Sequence, residues 1–201
     1  MIRLLVVEDH PITLKGLQTA FLADEAIEIV GAARTCAEGL SMAESLQPDV
    51  VLLDLHLPNC KPKSMTTEFI NRVGASRIVV FTAEDRPAFV SAMLDLKIAG
   101  YLSKSEPLSV VAQFIRKAAA GYRRLLSLDL VLASPPPLTR KELQTLEFVA
   151  KGASYEEIAT VGSRANSAVR KQCERLRKKL AVDSPKRLAV WAAHNGYGLV
   201  D

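Results

Sequence analysis

VVLLDLHLP, residues 50–58, places a short apolar run, Val50 to Leu53, directly before a carboxylate, Asp54. The same device recurs through the first half of the chain. Candidate strands are Arg3 to Val7, Glu28 to Ala32, Val50 to Leu53, Ile78 to Phe81 and Gly100 to Leu102. Between them Leu14, Leu17 and Phe21 recur at helical spacing, as do Leu108, Val111 and Ile115. Short strands alternating with amphipathic helices are the pattern of βαβ units around a parallel sheet. Five such units predict an α/β, flavodoxin-like doubly wound (βα)5 domain over residues 1–121, closed by Gly121 at a helix C-terminus.

In a doubly wound sheet, ligands bind outside the carboxyl ends of the strands. Glu8 and Asp9 follow the first strand, Asp54 the third, Thr82 the fourth and Lys104 the fifth, so all share one edge. Three carboxylates there repel: two unit charges about 4 Å apart cost roughly 1 kcal/mol in water and about 4 at an effective dielectric of 20. A hard divalent cation with oxygen ligands offsets that, and Mg2+ takes one or two carboxylates plus phosphate oxygens. Lys104 supplies a second, fixed positive charge. Together they suit phosphoryl transfer to the Asp54 carboxylate, with Thr82 donating its hydroxyl to a phosphoryl oxygen. His10 and His56 read as pocket-rim side chains rather than catalytic imidazoles, since no second histidine is paired with either in sequence.

Composition narrows the function classes. No GxxxxGK or GxGxxG segment follows any strand, which disfavours nucleotide chemistry by those devices and, with it, an enzyme. Cys36, Cys60 and Cys173 lack CxxC spacing, so neither a disulfide framework nor a zinc site is suggested. No apolar run approaches the roughly 18 residues that span a bilayer, and MIRLLVVEDH meets an acidic pair where a signal peptide stays apolar, so a cytoplasmic protein is expected. Charge is asymmetric: residues 1–120 hold 12 Lys+Arg against 14 Asp+Glu, a net −2, and residues 121–201 hold 14 against 8, a net +6. A basic second half suits a polyanionic partner.

Residues 122–137, YRRLLSLDLVLASPPP, read as a linker whose apolar middle could dock as a helix or strand before Pro135 to Pro137 stiffen the chain. Residues 138–201 then carry helix starts in quick succession. Thr139 with Glu142 and Ser154 with Glu157 match the capping box, and Ser184 precedes a proline at the first helical position. Four helices are implied, near 139–151, 155–161, 166–180 and 185–194, as a small all-α domain. In the third, Val169, Cys173, Leu176 and Leu180 form a buried stripe, while Arg170, Lys171, Arg175, Arg177, Lys178 and Lys179 make a basic surface suited to DNA phosphates. A small bundle used only for dimerisation is the competing arrangement.

The segments LLVVEDHP, VVLLDLHLP, VVFTA and GYLSK resemble, in order and spacing, the receiver domains of two-component response regulators. The resemblance implies Asp54 as phosphoacceptor in a phosphorelay from a sensor histidine kinase. It implies Glu8, Asp9, Asp54 and the His56 backbone carbonyl as Mg2+ ligands, with Thr82 and Lys104 completing the site. Tyr101 matches the family's aromatic switch and reads equally as a half-buried strand aromatic. The family commonly has glycine shortly after the acceptor-loop proline; here Pro58 is followed by Asn59, which tolerates a left-handed turn.

LTRKELQTLEFVAKGASYEEIA, VRKQCERLRKKLAV and SPKRLAVWAA resemble the LuxR-type helix-turn-helix of the NarL/FixJ regulators. That resemblance implies promoter DNA as a partner and a homodimer when active. Groove-facing or backbone-contacting positions would be Arg164, Ser167, Arg170, Lys171, Glu174, Arg177 and Lys178. The turn departs from the family pattern. It reads Val161, Gly162, Ser163, Arg164, Ala165, with Arg164 where an aliphatic is usual and Ala165 at the cap position, leaving Asn166 as the alternative cap. The reading is a DNA-binding transcriptional regulator controlled by phosphorylation. Its competitor is a signalling adaptor or dimerisation module whose altered turn no longer reads DNA.

Overall fold

The apolar runs become strands of one parallel sheet in the computed structural model, which describes residues 1–200; Asp201, the last residue of the expected C-terminal domain, lies outside them. Two compact units divide the chain near residue 132.

The first unit runs β1 (Ile2–Val7), α1 (Pro11–Phe21), β2 (Ile27–Ala33), α2 (Cys36–Leu46), β3 (Val50–Leu53), α3 (Pro62–Val73), β4 (Ile78–Thr82), α4 (Pro87–Asp95), β5 (Gly100–Ser103) and α5 (Leu108–Ala119). Two short elements follow, β6 (Leu125–Leu126) and α6 (Leu128–Ala133). Every strand pair is parallel, in the order β2-β1-β3-β4-β5-β6. The expected doubly wound core is present, its parallel neighbouring strands joined through helices. On one face Leu4, Val6, Leu52, Val79 and Leu102 pack with Leu17 and Phe21 of α1 and Val111 and Ile115 of α5. On the other, α2 and α3 close on Val7: a Cβ at Gly39 would lie 2.9 Å from both Phe69 Cζ of α3 and Val7 Cγ1. Gly39 therefore sets how near α2 comes to α3 and the sheet.

The apolar middle of the expected linker holds both a sixth strand and a short helix. Leu125 and Leu126 pair with Gly100 and Tyr101, and a Cβ at Gly100 would come within 2.9 Å of Leu125 Cβ. Glycine in β5 is what admits the added strand.

The second unit holds α7 (Arg140–Ala150), α8 (Tyr155–Val161), α9 (Asn166–Lys179) and α10 (Pro185–His194). Both capping boxes form, with Thr139 and Ser154 accepting from the Glu142 and Glu157 amides and the glutamates reaching back. Ser184 caps α10 ahead of Pro185. Leu146, Ile158, Val169, Leu176 and Leu188 are buried between these helices. Leu180, expected in the buried stripe, ends α9 only half-buried.

Candidate functional site

Glu8, Asp54 and Lys104 each stand one residue past a strand, yet their amides continue its ladder. Glu8 N donates to Ala33 O at 2.9 Å, Asp54 N to Val7 O at 3.0 Å and Lys104 N to Thr82 O at 2.9 Å. The sheet thereby fixes the backbone under the acidic cluster, and only side chains remain to arrange. Asp54 and Glu8 are almost fully buried. Lys104 Nζ lies 2.7 Å from Asp54 Oδ2 and 2.7 Å from Glu8 Oε2, with its hydrogen bond directed at Asp54. Burial works against the Lys104 ammonium, but the Asp54 and Glu8 carboxylates outweigh it and hold its pKa above the ordinary lysine value. Asp54 Oδ1 accepts from the His56 amide at 3.2 Å.

Ligand atoms of Glu8, Asp9, His10 and Asp54 all lie within 4.8 Å of one another. Glu8 Oε2 and Asp9 Oδ1 are buried, with the Lys104 ammonium 2.7 Å from the first and the His10 ring 2.8 Å from the second. One lysine against three carboxylates leaves negative charge uncompensated, so the donor set fits a small divalent cation. His10, expected at the rim, is drawn into this group: its Nδ1 is 2.8 Å from Asp9 Oδ1 and 3.0 Å from Glu8 Oε1, although the side chain is 62 % exposed.

Thr82 is fully buried, and its Oγ1 accepts from the Glu84 amide at 3.3 Å. Tyr101 is not half-buried but wholly inside, its hydroxyl donating to Glu84 O at 2.7 Å. Glu84 is the residue that sequence reasoning missed. Its buried carboxylate lies 3.2 Å from His56 Nε2, tying the loop after β3 to the loop after β4. The only available signal was position: His56 and Glu84 each sit two residues past Asp54 and Thr82. Asn59 takes the left-handed turn expected of it, with φ 60°.

In the second unit Ser167, Arg170, Lys171, Glu174 and Lys178 are exposed on α9, and Arg177 is half-buried. Arg170 is steadied at the helix start by Asn166 Oδ1, 3.2 Å from its Nε, and by the Tyr155 ring, 5.9 Å from its Cζ. Lys179 is engaged elsewhere, 2.9 Å from Glu142 Oε2. Asn166 does not cap α9; it is the first helical residue, and the cap position is Ala165, without a side-chain hydrogen bond.

Arg164 is half-buried. Its guanidinium donates to Gln172 Oε1, whose Nε2 donates to Lys141 O at 2.8 Å, so a polar relay braces the turn against α9 and α7 where an aliphatic is usual. This engagement sets Arg164 apart from the exposed basic residues of α9. The left-handed residue of the turn is Ser163, at φ 48°, because Gly162 stays at φ −83°.

The sequence profile of the response regulator receiver domain matches residues 4–116. The response regulator GacA of Pseudomonas aeruginosa is 29 % identical over 98 % of this chain and 97 % of its own. The nitrate/nitrite response regulator protein NarL of Escherichia coli is 28 % identical over 94 % and 93 %. RcsB, solved as two dimers bound to two parallel DNAs, shares the fold at a TM-score of 0.68 and 23 % identity, covering 94 % of this chain and 96 % of that one. Since that profile takes in the acidic strand ends, Thr82 and Lys104 alike, this chain belongs to the response regulators that carry a receiver domain.

Proposed function

We propose that this chain is a transcriptional response regulator in which phosphorylation of Asp54 by a sensor histidine kinase controls DNA binding by the second unit. The observation that carries the reading is the buried Asp54 carboxylate held 2.7 Å from Lys104 Nζ beside Glu8. An Asp54 oxygen attacks phosphorus of a phosphohistidine, the P–N bond breaks, and the imidazole leaves with its proton. Lys104 holds charge that develops on the phosphoryl oxygens. Glu8, Asp9 and Asp54, with the His56 carbonyl, would hold Mg2+, which when bound neutralises phosphoryl charge. The Thr82 hydroxyl is suited to meet the phosphoryl group, and Tyr101, already inside, is suited to report that move through Glu84. The chain thus accepts a phosphoryl group as a signal and is not read as an enzyme.

On α9 the exposed Arg170 and Lys171, joined by Ser167, Glu174, Arg177 and Lys178, form the DNA face, with Arg164 a bracing residue. Relatives with names of the same kind span nearly the whole chain, and RcsB was solved with DNA as dimers, which supports a homodimer on promoter DNA. No helix among the described residues is long and apolar enough to cross a membrane. A partner of promoter DNA and of a sensor kinase works in the cytoplasm.

The test labels wild type and Asp54→Asn with a small phosphodonor and Mg2+, then measures promoter-fragment binding with and without phosphate. Label on wild type only, with binding altered by it, is expected. Equal labelling of both removes Asp54 as acceptor. A DNA affinity indifferent to replacing Arg170 and Lys171 favours the adaptor reading.

A further inference from the structure

One residue on the basic face of α9 has the wrong sign for it. Glu174 is exposed, one turn after Arg170 and Lys171 and one turn before Arg177 and Lys178, so it stands among the cations suited to phosphate. A carboxylate there repels the DNA backbone and weakens binding to every sequence alike, unless a group on the duplex donates to it. A basic side chain four residues away faces it on the helix and could cancel the charge. Arg170 has that spacing, but it is held the other way. Its Nε donates to Asn166 Oδ1 at 3.2 Å, one turn back toward the helix start, and its Cζ lies 5.9 Å from the centre of the Tyr155 ring of α8. Among the described residues the Glu174 side chain enters no ion pair and no hydrogen bond. Both its oxygens are left for a donor outside the chain.

On the DNA-binding reading of α9, on which this rests, we propose that Glu174 selects a cytosine in each half-site, its carboxylate accepting from the N4 amino group in the major groove. Only cytosine and adenine show an amino group there; guanine and thymine show keto oxygens, which a carboxylate repels. Adenine sets its N7 acceptor beside N6, an arrangement that suits the donor and acceptor of a Gln or Asn amide and not a group with acceptors alone. Cytosine offers N4 with no acceptor next to it. Glu174 therefore acts largely by exclusion, weakening binding to duplexes that lack the cytosine. Asn166 is a positioning residue in this scheme. By holding Arg170 it keeps the guanidinium from closing on Glu174 across one helical turn.

The experiment mixes the full chain, with and without Mg2+ and a small phosphodonor, with duplexes randomised over about 20 base pairs, room for two half-sites, and sequences those retained. Wild type is expected to fix one C·G pair in each half-site. Glu174→Ala is expected to lose about tenfold of preference at that pair and none elsewhere, while binding random duplex more tightly than wild type. Glu174→Gln is expected to move the preference at the same pair to adenine, whose N6 and N7 its amide can meet. Asn166→Ala leaves Glu174 in place and is expected to weaken the cytosine preference, because Arg170 is released to pair with it. A selected sequence that neither Glu174 substitution alters overturns the base contact. A cytosine preference untouched by Asn166→Ala overturns the positioning role. Wild type that retains no duplex in either state instead removes the DNA-binding reading, and this contact with it.

Discussion

The strand-end pocket of the receiver and the turn between α8 and α9 solve opposite problems. In the pocket, ladder hydrogen bonds fix the backbone beneath Glu8, Asp54 and Lys104, so the chemistry lies in which charged side chains meet. At the turn no ladder exists. Ser163 takes a left-handed conformation, Ala165 leaves the helix start without a side-chain cap, and Arg164 spends its guanidinium on Gln172. Residue identity at a strand end translates directly into function, whereas at an irregular turn it first has to hold the backbone.

The sharpest break of that comparison is Lys104→Met. Removing the one fixed cation from a buried carboxylate pair is expected to slow phosphorylation from a small donor by about 10²–10³-fold and to destabilise the receiver by about 3 kcal/mol in urea titration. The pairing raises the folded pKa of Lys104, so its stability contribution is fully present below the ordinary 10.5 and is lost as pH rises through the higher folded value. The gap between wild type and variant should therefore hold steady from neutral pH to about 10 and close above it. A gap that is already closing at pH 8 contradicts the pairing.

For the second region, replacing both Arg170 and Lys171 with alanine should lower the slope of log affinity against log salt by about 2, if both neutralise phosphate. Arg164→Leu should leave that slope unchanged, because its guanidinium is engaged with Gln172; a fall of about 1 would make it a phosphate contact instead. Ser163→Gly is expected to raise stability by about 1 kcal/mol, by relieving a left-handed residue that carries a Cβ. The smallest effect concerns Glu142. Burial opposes its carboxylate, but Lys179 and the Thr139 cap outweigh this and lower its pKa, so its contribution is present above the ordinary 4.5 and lost as pH falls through the folded value. Glu142→Gln should cost about 0.5 kcal/mol at pH 7, a difference that shrinks as pH falls below 4.5 through the folded value, by thermal melts across that range.

The same contrast explains what could be read from residues alone. Asp54, Glu8, Asp9 and Lys104 were legible because parallel strands must end on a common edge, so a polar residue after each apolar run is placed by topology. Glu84 is not, because the direction of a loop side chain follows no period. β6 is two residues long, too short to show alternation, and its pairing depends on a glycine in another strand. In the second unit the capping boxes announce α7 and α8, whereas Asn166, the alternative cap, is the first helical residue, since nothing local reveals that Ser163 and Arg164 carry the turn.

The ladder bonds that pass beyond the strand ends have a consequence for signalling. An amide pinned to a neighbouring strand opens only when the sheet does, so the backbone at Glu8, Asp54 and Lys104 should be among the slowest in the receiver to exchange its protons. The residues proposed to sense phosphate are thus the least able to carry news of it. Whatever leaves the pocket has to travel by side-chain rotation and through the loops that follow His56 and Thr82, with the sheet acting as the fixed frame against which they move.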